Sequence, residues 1–342
     1  MKLRTILVAL FALAASCEQL LAWGSDGHQL VGSIGDHLLN PHAKQQVQNI
    51  LGFELRVAAP WADCVRSVMR HTDGSFEYIS NPRFNKPCLL FETDAEKPRM
   101  VDYVSRNFNA CVNDGGKKGC ADTYHFADVA IQHDHYERGL VGTNEHDIVG
   151  AINAAIMVLK DKPATAPFSI KDKKEALFLL AHFVGDMHQP LHVGAVYLNV
   201  AGKRLNPDVK ASAKSALETR GGNLILEKAD PKCKGSDMHS EWDDILDSLG
   251  TSASDAMVAK AKAVPPTPGA VENFAATWAT DTILEARSAF KGVSFKKAPC
   301  KGQWVAKFAN RKTYLKSENA IKQDQLAKGG ARLAQLLNTI WP

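Results

Sequence analysis

Long apolar runs are scarce in this chain. The longest, Ile6 through Ala15, spans ten residues, too few for a helix to cross a bilayer core of about 30 Å. No later stretch approaches the roughly 18 residues of a transmembrane helix, so no membrane anchor is expected. No two cysteines have C-x2-C spacing, which argues against a thiolate zinc site. Asn-x-Ser/Thr is absent, so N-glycosylation is not expected. A dominant charge sign is missing too: 41 Lys+Arg face 37 Asp+Glu, a formal +4. That bias is too small to announce a dedicated nucleic-acid binder, though it suits an enzyme that holds a polyanion briefly. There is no internal repeat, low-complexity tract or interdomain linker. The 342 residues, 45% hydrophobic and 23% charged, therefore read as one folded domain with a substantial core.

What is present begins at the N-terminus. Lys2 and Arg4 precede the apolar run, the pattern of a secretory signal. Cleavage after Ala22 makes residues 1–22 a removed signal peptide and 23–342 the mature domain, exported as a secreted or periplasmic protein. A cut after Ser16 fits the local sequence as well, and Ala14-Ala15-Ser16-Cys17 has the look of a weak lipoprotein box. The later cut removes Cys17 and leaves Cys64, Cys88, Cys111, Cys120, Cys233 and Cys300. An even number in an exported chain suggests up to three disulfides, with the pairing open.

Most of the mature chain has helical periodicity. Asn40-Pro41 supplies an N-cap and a first-turn proline for a helix to Leu51. Apolar side chains at helical spacing predict further helices over Asp147–Lys160, Lys171–Met187, Met238–Leu249, Asp255–Ala263, Val271–Phe290 and Ser317–Trp341. The fold class is all-α. Two regions interrupt it. Residues 70–122, with Gly, Pro, Asn and three cysteines, read as a loop-rich insertion stapled by disulfides. Residues 194–236 read as a long surface loop with a short hairpin.

Twelve histidines are more than structure needs, and their spacing is informative. His182 and Asp186 stand four apart, so on a helix they share a face. Pro190 should end that helix and return His192 towards it. The His-x3-Asp spacing recurs at His239 and Asp243. One such pair arises easily on an ordinary polar helix face. Two pairs with His192 make a mixed nitrogen and oxygen donor set of the kind zinc takes. Asp63 lies three residues before Arg66, offering a metal-side carboxylate and a phosphate contact. His125 is flanked by Tyr124, Phe126 and Asp128. With the signal removed, Trp23 would carry a free amine, a good metal ligand when deprotonated, and His28 follows it closely.

These segments resemble the S-one/P-one nuclease family of zinc-dependent secreted nucleases. The matching motifs are Trp23 with His28, Trp61-Ala62-Asp63 with Arg66, His125-Phe126 with Asp128, the stretch from His182 to His192, Gly221-Gly222-Asn223, and His239 with Trp242-Asp243. The match runs from Trp23 to the C-terminus in family order. The resemblance implies a mainly helical domain of the zinc-dependent phospholipase C and single-strand nuclease type, with long disulfide-stapled loops. It implies three Zn2+ per chain. Asp63, His125, His182 and Asp186 would hold the first, and His192, His239 and Asp243 the second. The amine and carbonyl of Trp23 would hold the third with His28 and a bridging Asp186. Asp63 and Arg66 would be catalytic, while Phe126 and Asp128 would bind the base. The implied substrates are single-stranded DNA, RNA and 3'-nucleotides, cleaved to 5'-phosphates by a monomer.

The stretch between Arg66 and His125 is longer than in typical members. His71, His133 and His135 therefore compete with His125, and His188 reads as structural. A zinc phospholipase C and a non-catalytic, zinc-stabilised binding protein are the alternative functions.

Overall fold

The structure, a computed structural model, describes residues 23–80, 85–111, 119–232 and 235–342. The expected signal segment 1–22 and Cys233 lie outside the described residues. Helices α1 (Ser25–Leu38), α2 (Pro41–Leu51), α3 (Leu55–Ala58) and α4 (Trp61–Cys64) open the chain. The hairpin of β1 (Val68–Arg70) and β2 (Phe76–Tyr78) follows, then α5 (Asn85–Cys88), α6 (Glu96–Asn107), β3 (Val129–Ala130), α7 (Ile148–Leu159), α8 (Lys173–Met187) and α9 (Pro190–Val193). Short strands β4 (Gly194–Ala195), β5 (Tyr197–Leu198), β6 (Arg204–Leu205), β7 (Leu217–Glu218) and β8 (Ile225–Leu226) precede α10 (Met238–Asp243), α11 (Asp255–Lys262) and α12 (Phe274–Ala289). Strands β9 (Val293–Lys297) and β10 (Trp304–Phe308) lead into the terminal helix α13 (Arg311–Ile340).

Local chemistry sets the boundaries. Asn40 accepts from Ala43 N at 2.7 Å and Pro41 opens α2, which ends at Gly52 with φ 80°. The side chains of Asp147, Asp172 and Asp237 cap α7, α8 and α10. Every side chain of α8 from Glu175 to Met187 is buried, the mark of a helix at the centre of a core. Helices α1, α7 and α13 pack around it. Two glycines permit the closest approaches. A Cβ on Gly32 would lie 2.7 Å from Arg56 Cα, and one on Gly330 would lie 2.4 Å from Ile34 Cβ. Backbones of α1 thus meet α3 and α13 directly.

The all-α expectation holds in the main, with particular differences. Helix α1 was not expected, because Gly27, Gly32 and Gly35 lower its intrinsic propensity. Residues 70–122 are less loop-like than their composition suggests. Helix α6 buries Met100, Tyr103, Val104 and Asn107, and Pro98 is harmless in its first turn, where no intrahelical N–H is needed. Helix α10 stops at Asp243, with a 3-10 turn at Asp247–Leu249. Helix α13 starts at Arg311, where Asn310 accepts from Thr313 N at 3.0 Å. Strand β10 pairs parallel with β8 and antiparallel with β9. Disulfides join Cys64 to Cys88 and Cys111 to Cys120, and Cys300 is also disulfide-bonded.

Candidate metal centre

The C-terminal end of α8 presents His182 and Asp186 one turn apart. Gln189 then redirects the chain: its side-chain oxygen accepts from Leu191 N at 2.5 Å, and Pro190 opens α9. This turn carries His192 back towards α8. Helix α1 brings His28 Nε2 to 3.2 Å from Asp186 Oδ1, with its ring stacked on His182 at 3.7 Å between centroids. His125 Nδ1 lies 2.9 Å from Asp186 Oδ2 and 3.2 Å from His182 Nε2. Asp63 Oδ1, on α4, is 3.9 Å from His182 Nε2. Across the site, α10 supplies His239 and Asp243.

Three donor groups result: His28, Asp63 and His182; His125, His182 and Asp186; and His192, His239 and Asp243. All are buried, and within each group the donor atoms lie within 4.8 Å of one another. Trp23 is fully buried nearby. Gly24 N donates to Asp243 O at 2.9 Å, and Trp23 Cδ1 lies against Gly185, on the turn that carries Asp186. All nine residues expected as ligands thus converge at one end of α8, although Asp63 sits closer to the His28 group than the implied ligand sets suggest.

Hydrogen bonds fix the ring tautomers. Nδ1 of His182 donates to Ala59 O, Nδ1 of His192 to His125 O and Nδ1 of His239 to Gly221 O, each at 2.8 Å. A neutral imidazole has one proton, so in neutral His192 and His239 Nε2 is a bare acceptor. His182 differs: burial opposes its charge, but Asp186, 3.2 Å from its Nε2, and Asp63 raise its pKa. Yet Nε2 of His192 and Nε2 of His239 face each other at 3.0 Å. Two lone pairs at that distance repel unless a cation or proton lies between them. Protonation is disfavoured: burial lowers the His192 pKa to about 4, and burial with the nearby His182 lowers His28 to about 4. Burial also lifts the Asp243 carboxyl well above its usual range. Asp186 goes the other way. Burial opposes its charge, but His182, His28 and His192 hold its carboxyl well below the usual value. Neither nitrogen of His28, nor Asp186 Oδ1 nor Asp243 Oδ2, has a hydrogen-bond partner. Backbone-oriented imidazoles, buried carboxylates and orphaned donor atoms fit a divalent ion of the zinc type.

Arg66 lies at the edge of this cluster, its side chain only 7% exposed, with Nη1 3.5 Å from Asp63 Oδ1 and Nε 3.3 Å from Asp122 Oδ1. Phe126 is half-buried. Asp128 is buried, and its carboxyl is raised by burial and by Glu218. Gly221 joins the two sides: its N–H bonds the Asp128 carboxyl while its carbonyl orients His239. With φ 54° and a hypothetical Cβ 2.1 Å from Leu191 O, only glycine fits there.

A profile of the S1/P1 Nuclease family matches residues 23–122 and 109–342. The chain belongs to the S1/P1 nuclease family. Endonuclease 2 of Arabidopsis thaliana is 25% identical over 345 residues, covering 96% of this chain and 94% of its own. Endonuclease 4 of the same plant is 22% identical, covering 94% and 90%. Nuclease P1 of Penicillium citrinum is 24% identical over 190 residues, 54% of this chain and 51% of its own. Membership makes the chain a phosphoester-hydrolysing enzyme with a nucleic-acid substrate.

As an S1/P1 nuclease it separates the competing histidines cleanly. His71 pairs with Glu77 and His135 with Asp134 and Glu137 at exposed positions, and His133 pairs with Asp208 at a half-buried one. His188 is buried, donating through Nδ1 to Val184 O at 2.7 Å and accepting from Arg332 at 3.0 Å. Gln189 was missed in the sequence: its Nε2 donates to Asp243 Oδ1 at 2.6 Å. Its place inside the His182–His192 motif was the available signal. Among the described residues no helix is long and apolar enough to cross a membrane.

Proposed function

We propose that this enzyme is a zinc-dependent phosphodiesterase, exported after removal of residues 1–22, that hydrolyses single-stranded DNA and RNA to 5'-nucleotides and removes 3'-phosphates from mononucleotides. The observation that carries the reading is the His192–His239 pair. Each ring has its proton committed to a backbone carbonyl, so both Nε2 lone pairs point at one position.

Asp63, His125, His182 and Asp186 would hold one ion. His192, His239 and Asp243 would hold a second, and Trp23, His28 and Asp186 a third. Zinc bound there supplies a Lewis acid that makes water nucleophilic near neutral pH and offsets phosphoryl charge. Arg66 binds the phosphoryl oxygens as negative charge develops on them. Asp63, within reach of Arg66, orients the attacking water. Phe126 offers a ring face to a nucleobase. Stacking there is worth roughly 1–3 kcal/mol and is open only to a base outside a duplex. Asp128, beside it, bonds the base edge.

The test compares purified mature protein on single-stranded DNA, duplex DNA, 3'-AMP and phosphatidylcholine micelles, with metal analysis of the same sample. Zinc-loaded protein that cleaves the single strand to 5'-phosphate ends supports the reading. Cleavage of phosphatidylcholine alone, or bound zinc without hydrolysis of any of the four, overturns it.

A further inference from the structure

Charge is unevenly spread along this chain. Residues 286–317 hold nine lysines and arginines and no Asp or Glu, a formal +9 against +4 for the whole sequence, so the remaining residues sum to −5. The stretch comprises the end of α12, the β9–β10 hairpin and the first turns of α13. Its two arginines are committed to the fold. Arg287 donates to the carbonyls of Ile131 and His133, and Arg311 bridges Glu227 and Glu241. The seven lysines are not committed. All are exposed, and none forms an ion pair with an acidic side chain among the described residues.

The hairpin gathers part of this charge on one face. Val293, Phe295, Trp304 and Ala306 are buried, while Lys296 and Lys307 are exposed. Lys296 lies opposite Val305, which makes Lys307 its diagonal neighbour on the same face, within reach of a long side chain. The two amines meet there, and contact with the like charge of Lys296 lowers the Lys307 pKa. Two ammonium groups held together without a carboxylate make a place that an anion relieves. Lys297 and Lys301 flank the tip of the hairpin, where Ala298 N donates to Gln303 O at 2.9 Å and Gln303 N to Cys300 O at 3.2 Å. Cys300 is disulfide-bonded, so the tip is anchored and little backbone ordering is left for a ligand to impose. The hairpin also adjoins the metal centre. Phe295 and Trp304 share an apolar cluster with Met238 and Trp242 of α10, the helix that carries His239 and Asp243. Trp304 N donates to Leu224 O at 2.8 Å, three residues after Gly221, whose carbonyl orients His239.

We propose that the lysine face of the β9–β10 hairpin is a second contact surface for single-stranded nucleic acid, holding the phosphate backbone of a polymer whose scissile bond lies at the metal centre. The inference rests on the proposed phosphodiesterase reading and adds that long strands are gripped outside the reacting bond. A polyanion complements the charge of this face, and the substrate class of the family is a polyanion. An anionic membrane matches the charge but not the rest of the surface, because no large apolar side chain of residues 286–317 is exposed for insertion. Ammonium groups on phosphates carry no base information, so the grip is independent of sequence.

The test compares mature, metal-loaded wild type with the Lys296→Gln/Lys301→Gln/Lys307→Gln variant on a dinucleotide, on 3'-AMP and on a single strand of about 30 nucleotides, longer than one binding site needs. Loss of up to three phosphate contacts should cut kcat/KM on the long strand by about tenfold to a hundredfold at low salt, and lessen its log–log salt slope by about 2. The dinucleotide and 3'-AMP should be turned over within about twofold of wild type, which also shows that the variant is folded. Arginine at the same three positions should keep the long-strand activity. Lys44→Gln/Lys162→Gln/Lys262→Gln makes the same change in net charge at exposed positions outside the hairpin and should leave the long strand within about twofold of wild type. An equal loss on all three substrates, an unchanged long strand, or an equal loss in the outside variant overturns the inference. Phosphatidylserine vesicles that bind wild type and not the hairpin variant, with long-strand kinetics alike in both, assign the face to membranes and overturn it too. If wild type hydrolyses nothing, the phosphodiesterase reading fails, and fluorescence anisotropy of the labelled strand still decides. Weaker binding in the hairpin variant alone supports the surface, and equal binding overturns it.

Discussion

Chelation should destabilise this protein by an amount that can be worked out. Each bound ion stabilises the fold by RT ln(1 + [L]/Kd), about 4.1 kcal/mol when free metal exceeds Kd a thousandfold. Unfolding entropy of about 2.1 cal/mol/K per residue over 342 residues gives about 0.7 kcal/mol/K. One ion therefore raises Tm by about 6 °C, and three by about 18 °C. The structure supplies the reason the loss is not absorbed elsewhere. With the ions gone, His192 and His239 still face each other at 3.0 Å through bare nitrogens, and Asp243 Oδ2 and His28 Nε2 stay buried without hydrogen-bond partners. The assay is thermal unfolding with and without EDTA, followed by addition of Zn2+ or Mg2+. The expected result is a fall of 10 °C or more (roughly two ions' worth), reversed by zinc. Magnesium should fail, because it prefers an all-oxygen shell. A Tm unmoved by the chelator would refute the metal-site reasoning.

Three further outcomes follow from the same contacts. An additional residue ahead of Trp23 should remove one ion and most activity, since an amide nitrogen cannot replace an amine as ligand; metal counting on tagged and untagged protein decides this. Gly330→Ala should cost about 1–3 kcal/mol by overpacking, because its new methyl would meet Ile34 Cβ at 2.4 Å, and denaturant unfolding should report a lower midpoint at an unchanged slope. His188 is held neutral, burial and then Arg332 lowering its pKa to about 3 against 6.5 for the free side chain. The unfolded chain therefore takes up this proton first, so stability falls as pH drops from about 6.5 towards 3. The ceiling is on the order of 4–5 kcal/mol. His188→Gln keeps both hydrogen-bonding functions and should flatten that limb of the stability–pH curve. Parallel curves for the two proteins would count against it.

What the sequence disclosed depended on how local the cause was. The His182–Asp186 and His239–Asp243 pairs were readable because four-residue spacing alone puts both side chains on one helix face. His28, Asp63 and His125 carry no such periodic signature. Their positions are set by how α1, α4 and the segment before β3 pack on α8, and only the family motifs pointed to them. The strands β9 and β10 escaped notice because each turns just two side chains fully inward, Val293 and Phe295 against Trp304 and Ala306. That alternation is too short to stand out between two helices. Disulfide pairing was open for the same reason: Cys64 and Cys88 meet because the hairpin and α5 fold back over α4. Gln189 acts through Asp243, a partner far along the chain, and only its place inside the His182–His192 motif pointed to it.

The second donor group shows how the fold opposes the repulsion it creates. Helix α10 is only six residues long, too short to hold His239 and Asp243 against bare nitrogen and buried carboxylate by its own hydrogen bonds. Its rigidity comes from α13. Trp242 Nε1 donates to Tyr314 OH at 2.8 Å, fixing α10 on the flank of its donor face. Lys322 Nζ donates to Glu241 O and, at 2.7 Å, to Asp244 O, closing the C-terminal carbonyls of α10 with a positive charge where a helix end is negative. Glu318 pairs with Lys322 at 2.7 Å, and burial raises the Glu318 pKa to about 7. Arg311 bridges Glu227 at 2.5 Å and Glu241 at 3.6 Å. None of these groups touches the donors, yet together they prevent α10 from relaxing away from His192. Donor atoms that cannot separate to relieve their repulsion gain more from a shared cation than flexible ones would, because less ordering remains for binding to impose. The terminal helix, remote from the chemistry in sequence, therefore holds the second donor group in place.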